Sequence, residues 1–346
     1  MATILITGGL GYIGSHTALA LQQVGYTVLI LDNLANAELE TLNRIKRITG
    51  KKPSFAKIDM QDYKGLSLYL KQHPEIEAVI HFAAHKSVGE SVANPLAYYQ
   101  NNLGSLLNLL RAMEENGLKN LVFSSSCSVY GEVHSLPVVE QTPTQAMSPY
   151  GNTKKVSEEI LQDVAKARHG SFPIIALRYF NPVGAHESGF LGETSKTPAN
   201  NLVPVLMQKA LGIRAELHVF GHDYDTIDGT CVRDYIHVED LAQAHIAATQ
   251  RLLENKQTQN YEVFNVGAGK GYSVMQVIES FERVSGIKLS YTLSPRREGD
   301  VSAVYADVQL VEKELNWKAT KTLDEMTLSA WHWEQYYQSK QVVNNE

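Results

Sequence analysis

Thr3-Ile4-Leu5-Ile6-Thr7-Gly8-Gly9-Leu10-Gly11-Tyr12-Ile13-Gly14 decides the fold of this chain. An apolar run over 2–7 ends at Thr7, and glycines then fall at positions 8, 11 and 14. One glycine suits a sharp strand-to-helix turn. A second lets the backbone approach a pyrophosphate, and a third lets helix and strand pack closely. The helix that follows offers unpaired N–H groups and positive dipole charge to an anion. A glycine-rich turn without a ligand has the same spacing, but the strand before it and the helical pattern after it are the context a dinucleotide fingerprint requires. Asp32 closes the next apolar run, where a carboxylate holds the adenosine ribose hydroxyls. The same charge repels a 2′-phosphate, and Asn33 rather than a basic residue follows, so NAD is expected over NADP. Asp59, after the third run, either reaches the adenine edge or serves a strand-end turn.

Outward from this stretch, compact runs rich in Val, Ile, Leu or Phe recur at 2–7, 27–31, 54–58, 78–82, 121–125 and 174–179. Helical patterns lie between them, among them 12–24, 96–116 and 150–168. Runs apolar on both faces read as buried parallel strands. Strand–helix alternation with right-handed crossovers gives an α/β fold with a doubly wound parallel (Rossmann-type) sheet. Past Tyr179 the rhythm breaks: 181–201 is rich in Gly, Pro, Ser and Asn and reads as a long loop. Short strands are expected at 217–220, 261–266 and 289–292, helices at 241–253, 274–284 and 323–336, and a frayed tail at 338–346. The expected division is an NAD-binding domain over 1–179 plus about 235–266, and a smaller mixed α/β C-terminal substrate domain over about 180–234 plus 267–346.

A length of 346 residues suits about two domains. With 44% hydrophobic and 20% charged residues the chain is globular rather than disordered. Lys plus Arg number 31 against 37 Asp plus Glu, a net charge of −6, which argues against broad binding to nucleic acid or an anionic membrane. Any anion must therefore be held by a local site. Cys127 and Cys231 are the only cysteines, and their spacing suggests neither a disulfide framework nor a zinc site. No apolar run approaches the ~18 residues that span a bilayer. The start lacks the basic region of a signal peptide, so the expected compartment is the cytoplasm.

Ser148-Pro149-Tyr150-Gly151-Asn152-Thr153-Lys154 carries the candidate chemistry. Ser148 suits a helix cap and Pro149 the first turn. Tyr150 and Lys154, four apart, then share one face. A phenol with its reference pKa of ~10 is a poor base at neutral pH. A neighbouring ammonium and an oxidised nicotinamide both favour the phenolate. Such a pair accepts the proton of a substrate hydroxyl; the plainer reading is a solvated helix with an exposed tyrosine and lysine. Ser124-Ser125-Ser126 closes the fifth run, at the strand end where open α/β sheets bind ligands. A hydroxyl there hydrogen-bonds the reacting alcohol or its ketone, although serines at a strand end also satisfy turn backbone groups.

The glycine run, Asp32, Ser124 to Ser126 and the Tyr150–Lys154 spacing resemble the extended short-chain dehydrogenase/reductases. Further segments resemble the UDP-glucose 4-epimerase branch of that family over essentially the whole chain: His81-Phe82-Ala83-Ala84, Lys86 to Ser91, Leu177 to Ala185, Asn200-Asn201-Leu202, Val232 to Val238 and Pro295 to Asp300. The resemblance implies interconversion of UDP-glucose and UDP-galactose through NAD-mediated oxidation and re-reduction at sugar C4. It implies that Tyr150 takes the 4-hydroxyl proton, that Ser126 assists, and that Lys154 holds the nicotinamide ribose and tunes Tyr150. It further implies an NAD lining of Gly8, Gly11, Tyr12, Ile13, Gly14, Asp32, Asn33, Asn36, Asp59, Met60, Phe82, Ala83, Lys86, Asn101, Ser124, Tyr150, Lys154 and Tyr179. The implied UDP-sugar lining is Ser126, Tyr150, Asn181, Asn201, Leu202, Phe220, Arg233, Tyr235, Arg297, Asp300 and Val304. Arg233 and Arg297 are fork-shaped donors suited to a diphosphate. At the position of Val304 a bulky tyrosine goes with plain hexoses in this family, so the smaller valine carries an expectation that the N-acetylhexosamine pair is also accepted.

Other NAD-dependent nucleotide-sugar epimerases and dehydratases share the scaffold. The dehydratases carry an Asp-Glu pair, and the decarboxylases a Glu, before Val-Tyr-Gly; here Cys127-Ser128 precede Val129-Tyr130-Gly131, so the eliminating acid is missing. A non-catalytic NAD-sensing regulator would be expected to lose the Tyr–Lys pair. The family forms homodimers through two helices, and the apolar positions Leu103, Leu106, Leu107, Leu110 and Met113 read either as that face or as core. His81 with His85, and His218 with His222, are four apart but fall on strand ends or loops, so no metal is expected. Cys127 has no base partner and reads as a small buried residue, and His85 as a loop histidine.

Overall fold

The computed structural model describes residues 2–133, 135–167, 172–194, 199, 201–297 and 300–344. In chain order the strands are β1 (Thr3–Thr7), β2 (Thr27–Asp32), β3 (Ser54–Lys57), β4 (Ile76–His81), β5 (Asn120–Ser126), β6 (Ile174–Tyr179), β7 (Asn181–Val183), β8 (His218–Phe220), β9 (Val232–His237), β10 (Tyr261–Val266), β11 (Gly271–Ser273), β12 (Thr292–Ser294) and β13 (Ala303–Val304). The helices are α1 (Tyr12–Gln23), α2 (Glu40–Thr49), α3 (Tyr63–Gln72), α4 (Val88–Ala93), α5 (Pro95–Glu115), α6 (Pro149–Ala167), α7 (Leu202–Ala210), α8 (Val238–Leu253), α9 (Val274–Ser285), α10 (Gln309–Leu315) and α11 (Leu323–Asn344).

The main sheet is parallel throughout, ordered β10-β6-β5-β4-β1-β2-β3. Side chains alternate along a strand, and here each face feeds its own core. Ile4, Ile6, Val28, Ile30 and Val122 pack with residues of α1, α2 and α8. Leu5, Leu29, Leu31, Leu121 and Phe123 pack with residues of α3, α5 and α6. The order reverses between β1 and β4, which opens a crevice at their carboxyl ends. The Rossmann-type expectation therefore stands, with β10 added as the seventh strand.

A smaller mixed sheet is centred on β9, which pairs antiparallel with β11 and parallel with β7 and β13. Strands β8 and β12 form a separate parallel pair. Leu206, Met207, Val277, Phe281 and Trp331, from α7, α9 and α11, fill the core beside these sheets. Among the described residues no helix is long and apolar enough to cross a membrane.

Two expected elements move. The strand expected at 289–292 is found at Thr292–Ser294, because Leu289 turns into the core while Thr292 to Ser294 pair with β8. The tail expected to fray from 338 continues α11 as far as Asn344. Just before that stretch, Trp333 and Tyr337 pack against Arg44, and Tyr336 and Phe190 against Arg47, which anchors the helix to α2. Arg168 of the expected 150–168 helix, Asn200, Glu298 and Gly299 of the quoted motifs, and Asn345 and Glu346 of the tail lie outside the described residues.

Candidate active site

Gly8 turns the chain out of β1 with φ +68°, and a Cβ there would lie 2.7 Å from the Ala83 backbone nitrogen. The turn after β1 thus presses on the turn after β4, at the sheet's crevice. Gly14 is equally confined, since a Cβ would lie 2.5 Å from the Gly8 carbonyl oxygen. Helix α1 starts at Tyr12 with Gly11 as its N-cap and no side chain capping it. Its first-turn N–H groups therefore face the crevice side of a tight glycine turn with no side-chain acceptor, which fits a bound pyrophosphate. Asp32 is buried beside this turn and accepts the N–H of Leu10 (3.1 Å) and of Leu34 (2.8 Å). The rest of the dinucleotide lining follows the strand ends. The Asn33 amide donates to Asp59 (2.9 Å), whose other oxygen accepts the Gln61 N–H (2.8 Å), so Asp59 both makes a turn and faces Asn33. Met60 is buried and Asn36 exposed. Half-buried Phe82 packs its ring 4.8 Å from that of His245. Lys86 pairs with Glu193 at 2.8 Å. The Asn101 amide donates to Asn102 at 3.0 Å.

Helix α6 is capped by Ser148, whose hydroxyl accepts the Gly151 N–H at 3.1 Å. Tyr150 and Lys154 follow on one face, as their spacing predicts. Lys154 is buried, lies 4.9 Å from the Phe123 ring centre and donates to the Ser124 carbonyl at 2.6 Å. Burial pulls its amine down to about 8, against the pull of Glu158 in the other direction. Burial pushes the Tyr150 phenol up to about 12, and the neighbouring Ser126 acts in the opposite direction. Lys154 thus engages a strand carbonyl one residue from Ser125 and two from Ser126. The Ser126 hydroxyl also donates to that of Ser128 at 3.1 Å. Cys127 is half-buried rather than buried. Its thiol is pushed up to about 12 by burial, so it is no nucleophile at neutral pH.

Strand register assembles the other side of the crevice. Ser126 stands opposite Tyr179, Asn181 opposite Tyr235, and Val304 opposite Arg233. The Tyr179 hydroxyl bonds the His245 ring. Asp300 joins two cations: Arg233 lies 3.6 Å from one of its oxygens and Arg297 donates to the other at 3.0 Å. The Arg297 guanidinium lies 4.9 Å from the Phe220 ring centre. Asn201 is exposed at the N-cap of α7, and half-buried Leu202 opens that helix. Val304 is buried against Val129, Tyr130 and Phe180, under the Cys127–Val129 turn.

Sequence reading missed Asn102. Its amide donates to the Thr153 hydroxyl and to the His85 carbonyl, both at 3.0 Å, and its oxygen accepts the His85 N–H at 2.8 Å. It pins the loop after β4 to α6. A polar residue inside an otherwise apolar helix face was the available signal. His85 itself is exposed. Among the described residues no three metal-type side chains are placed to hold an ion.

The class this arrangement defines is the extended short-chain dehydrogenase/reductases, with the glycine turn at the switch point and the serine–tyrosine–lysine group one strand away. The family described as GDP-mannose 4,6 dehydratase matches residues 5–329. A UDP-glucose 4-epimerase from Erwinia amylovora is 49% identical over 96% of this chain and 97% of its own. The crystal structure of UDP-glucose-4-epimerase from Stenotrophomonas maltophila with bound NAD and formylated UDP-arabinopyranose matches with TM-score 0.95 at 44% identity, covering 98% of this chain and 100% of that one. That from Bifidobacterium longum in complex with NAD+ and UDP matches with TM-score 0.91 at 45% identity, covering 97% and 98%. The chain belongs to the UDP-glucose 4-epimerase family.

Proposed function

We propose that this protein interconverts UDP-glucose and UDP-galactose with NAD as a resident cofactor. The observation that carries the reading is Tyr150 and buried Lys154 on one face of α6, with Lys154 bonded to the Ser124 carbonyl at the end of β5, where Ser126 also lies. Tyr150 accepts the proton of the sugar 4-hydroxyl, and Ser126 holds the oxygen as it becomes a ketone. Bound NAD would supply the acceptor and donor for the C4 hydride. Arg233 and Arg297 grip the diphosphate in place of Asp300. The sugar, held only through its diphosphate, is then free to present either face of C4. A coupled assay with UDP-glucose and UDP-galactose, each as starting sugar, tests the reading; absence of turnover in both directions rejects it.

In this reading Asp32 holds the adenosine ribose. Asp32→Ala is expected to purify with less bound NAD and to tolerate NADP better, because the ribose partner and the repelling charge both go. Cofactor content measured on the purified variant checks this, and an unchanged NAD load counts against the role. The N-acetylhexosamine pair belongs to the same proposal through Val304, a side chain smaller than the tyrosine that goes with plain hexoses in this family. Val304→Tyr is expected to remove N-acetyl turnover while sparing the hexoses, since a clash discriminates more strongly than a gap. Wild type that ignores the N-acetyl sugars, or a variant that keeps them, removes Val304 as the gate.

The residues through Tyr179 with α8 and β10 form the NAD-binding part and the remainder the UDP-sugar part, with α8 starting at Val238. The protein works as a homodimer. Of the five apolar positions on α5, Leu106, Leu110 and Met113 are core. The face left for a second copy is exposed Leu107 with half-buried Leu103, beside α6. Free thiols at Cys127 and Cys231 support a cytoplasmic location.

A further inference from the structure

Below the reacting groups lies a fully buried polar node that the mechanism does not use. Arg178 and Glu158 form a two-pronged ion pair, with Nε to Oε1 at 3.0 Å and Nη2 to Oε2 at 2.6 Å. The Ser125 hydroxyl donates to Glu158 Oε1, the oxygen that also accepts Arg178 Nε, at 2.5 Å. Arg178 spends its remaining nitrogen on the Tyr130 hydroxyl (2.8 Å) and the Glu140 carbonyl (2.9 Å). Ser125, Tyr130, Glu158 and Arg178 are each at most 4% exposed.

A buried ion pair is weak evidence for stability, because apolar residues of the same volume do as well or better. Its place in the chain is more telling. Ser125 sits between Ser124 and Ser126. Glu158 follows Lys154 by one helical turn, on the face that Tyr150 opens. Arg178 immediately precedes Tyr179. Every strand or helix that carries a reacting group is therefore tied to this node one residue, or one turn, away from that group.

We propose that Glu158, locked by Arg178 and Ser125, is a positioning residue that sets the register of Tyr150 and Lys154 on α6 against Ser126 on β5. This rests on the epimerase reading above. Glu158 also provides the negative charge that raises the Lys154 amine against the larger lowering effect of burial. The other groups that face Lys154 are the neutral His81 of β4, and the Phe123 ring and Ser124 carbonyl of β5.

The test compares Glu158→Gln and Ser125→Ala with wild type, as purified holoenzymes, in kcat, KM and the pH profile of kcat. For Glu158→Gln we expect kcat to fall at least about tenfold with KM for UDP-galactose nearly unchanged. Its alkaline limb should move about one unit lower, as expected when an opposite charge is lost nearby. Ser125→Ala keeps every charge, so it should lose several-fold in kcat with the limb in place. If Glu158→Gln gives no soluble holoenzyme, Glu158→Asp replaces it; with its charge kept and its reach shortened, kcat should fall while the limb stays. Unchanged kcat and limb in the folded variants, or a loss explained entirely by a lower fraction of folded protein, overturns the proposal. Wild-type turnover in the same assay reports on the epimerase reading separately.

Discussion

Replacing Tyr150 by phenylalanine is expected to reduce turnover by about 10²–10⁴-fold, the usual cost of removing a general acid–base group. The ring still fills its half-buried place on α6, so the fold is spared. Lys154 keeps its bond to the Ser124 carbonyl, which does not involve the phenol. Bound NAD should therefore survive purification of the variant, and only chemistry should fail. What is lost is the phenol oxygen that exchanges a proton with the sugar in this reading. Burial raises this phenol, and the positive charges of Lys154 and of oxidised nicotinamide act in the opposite direction. Steady-state rates with UDP-galactose decide the matter: turnover within a few-fold of wild type would falsify the role of Tyr150.

Gly8→Ala is expected to cost the protein its cofactor altogether. An L-residue at φ +68° costs roughly 1–2 kcal/mol in this region. The added methyl also meets backbone, with the Ala83 nitrogen 2.7 Å away and its Cα 2.9 Å away, so neither neighbour can rotate aside. Overpacking of this kind adds about 1–3 kcal/mol. The turn must then lift from β4 or β1 must shift, and either change misaligns the first-turn N–H groups of α1. The variant should show a lowered melting temperature and no nicotinamide in the denatured supernatant. Retention of NAD at the wild-type level would show that the turn does not cradle it.

The first half of the fold was legible because each buried strand is a short apolar run closed by its own signal: Gly8 after β1, Asp32 after β2 and Ser124 to Ser126 at the end of β5. The small sheet was not, because β7, β11 and β13 are two or three residues long and earn their strand geometry only by pairing with β9. Helix α11 was read as shorter because its last turns carry polar residues, while the aromatic–arginine stacking that anchors it to α2 joins residues nearly three hundred apart in sequence. Site residues were legible where a motif surrounds them, as with Tyr150 and Lys154. Asn102, Glu158 and Arg178 escaped because their partners come from other elements, and no local pattern records a partner held across the fold.

The seventh strand carries a consequence for biosynthesis. Its neighbour β6 ends at Tyr179, but the residues that cover it, Tyr261 to Val266, leave the ribosome only after the whole 180–260 stretch has been made. Through that interval β6 is an uncovered, mostly apolar edge, the kind that recruits foreign strands. The nascent chain thus cannot finish one lobe before starting the other, and its period of greatest exposure to aggregation or chaperone capture is set by the length of chain between β6 and β10 rather than by the stability of the finished enzyme.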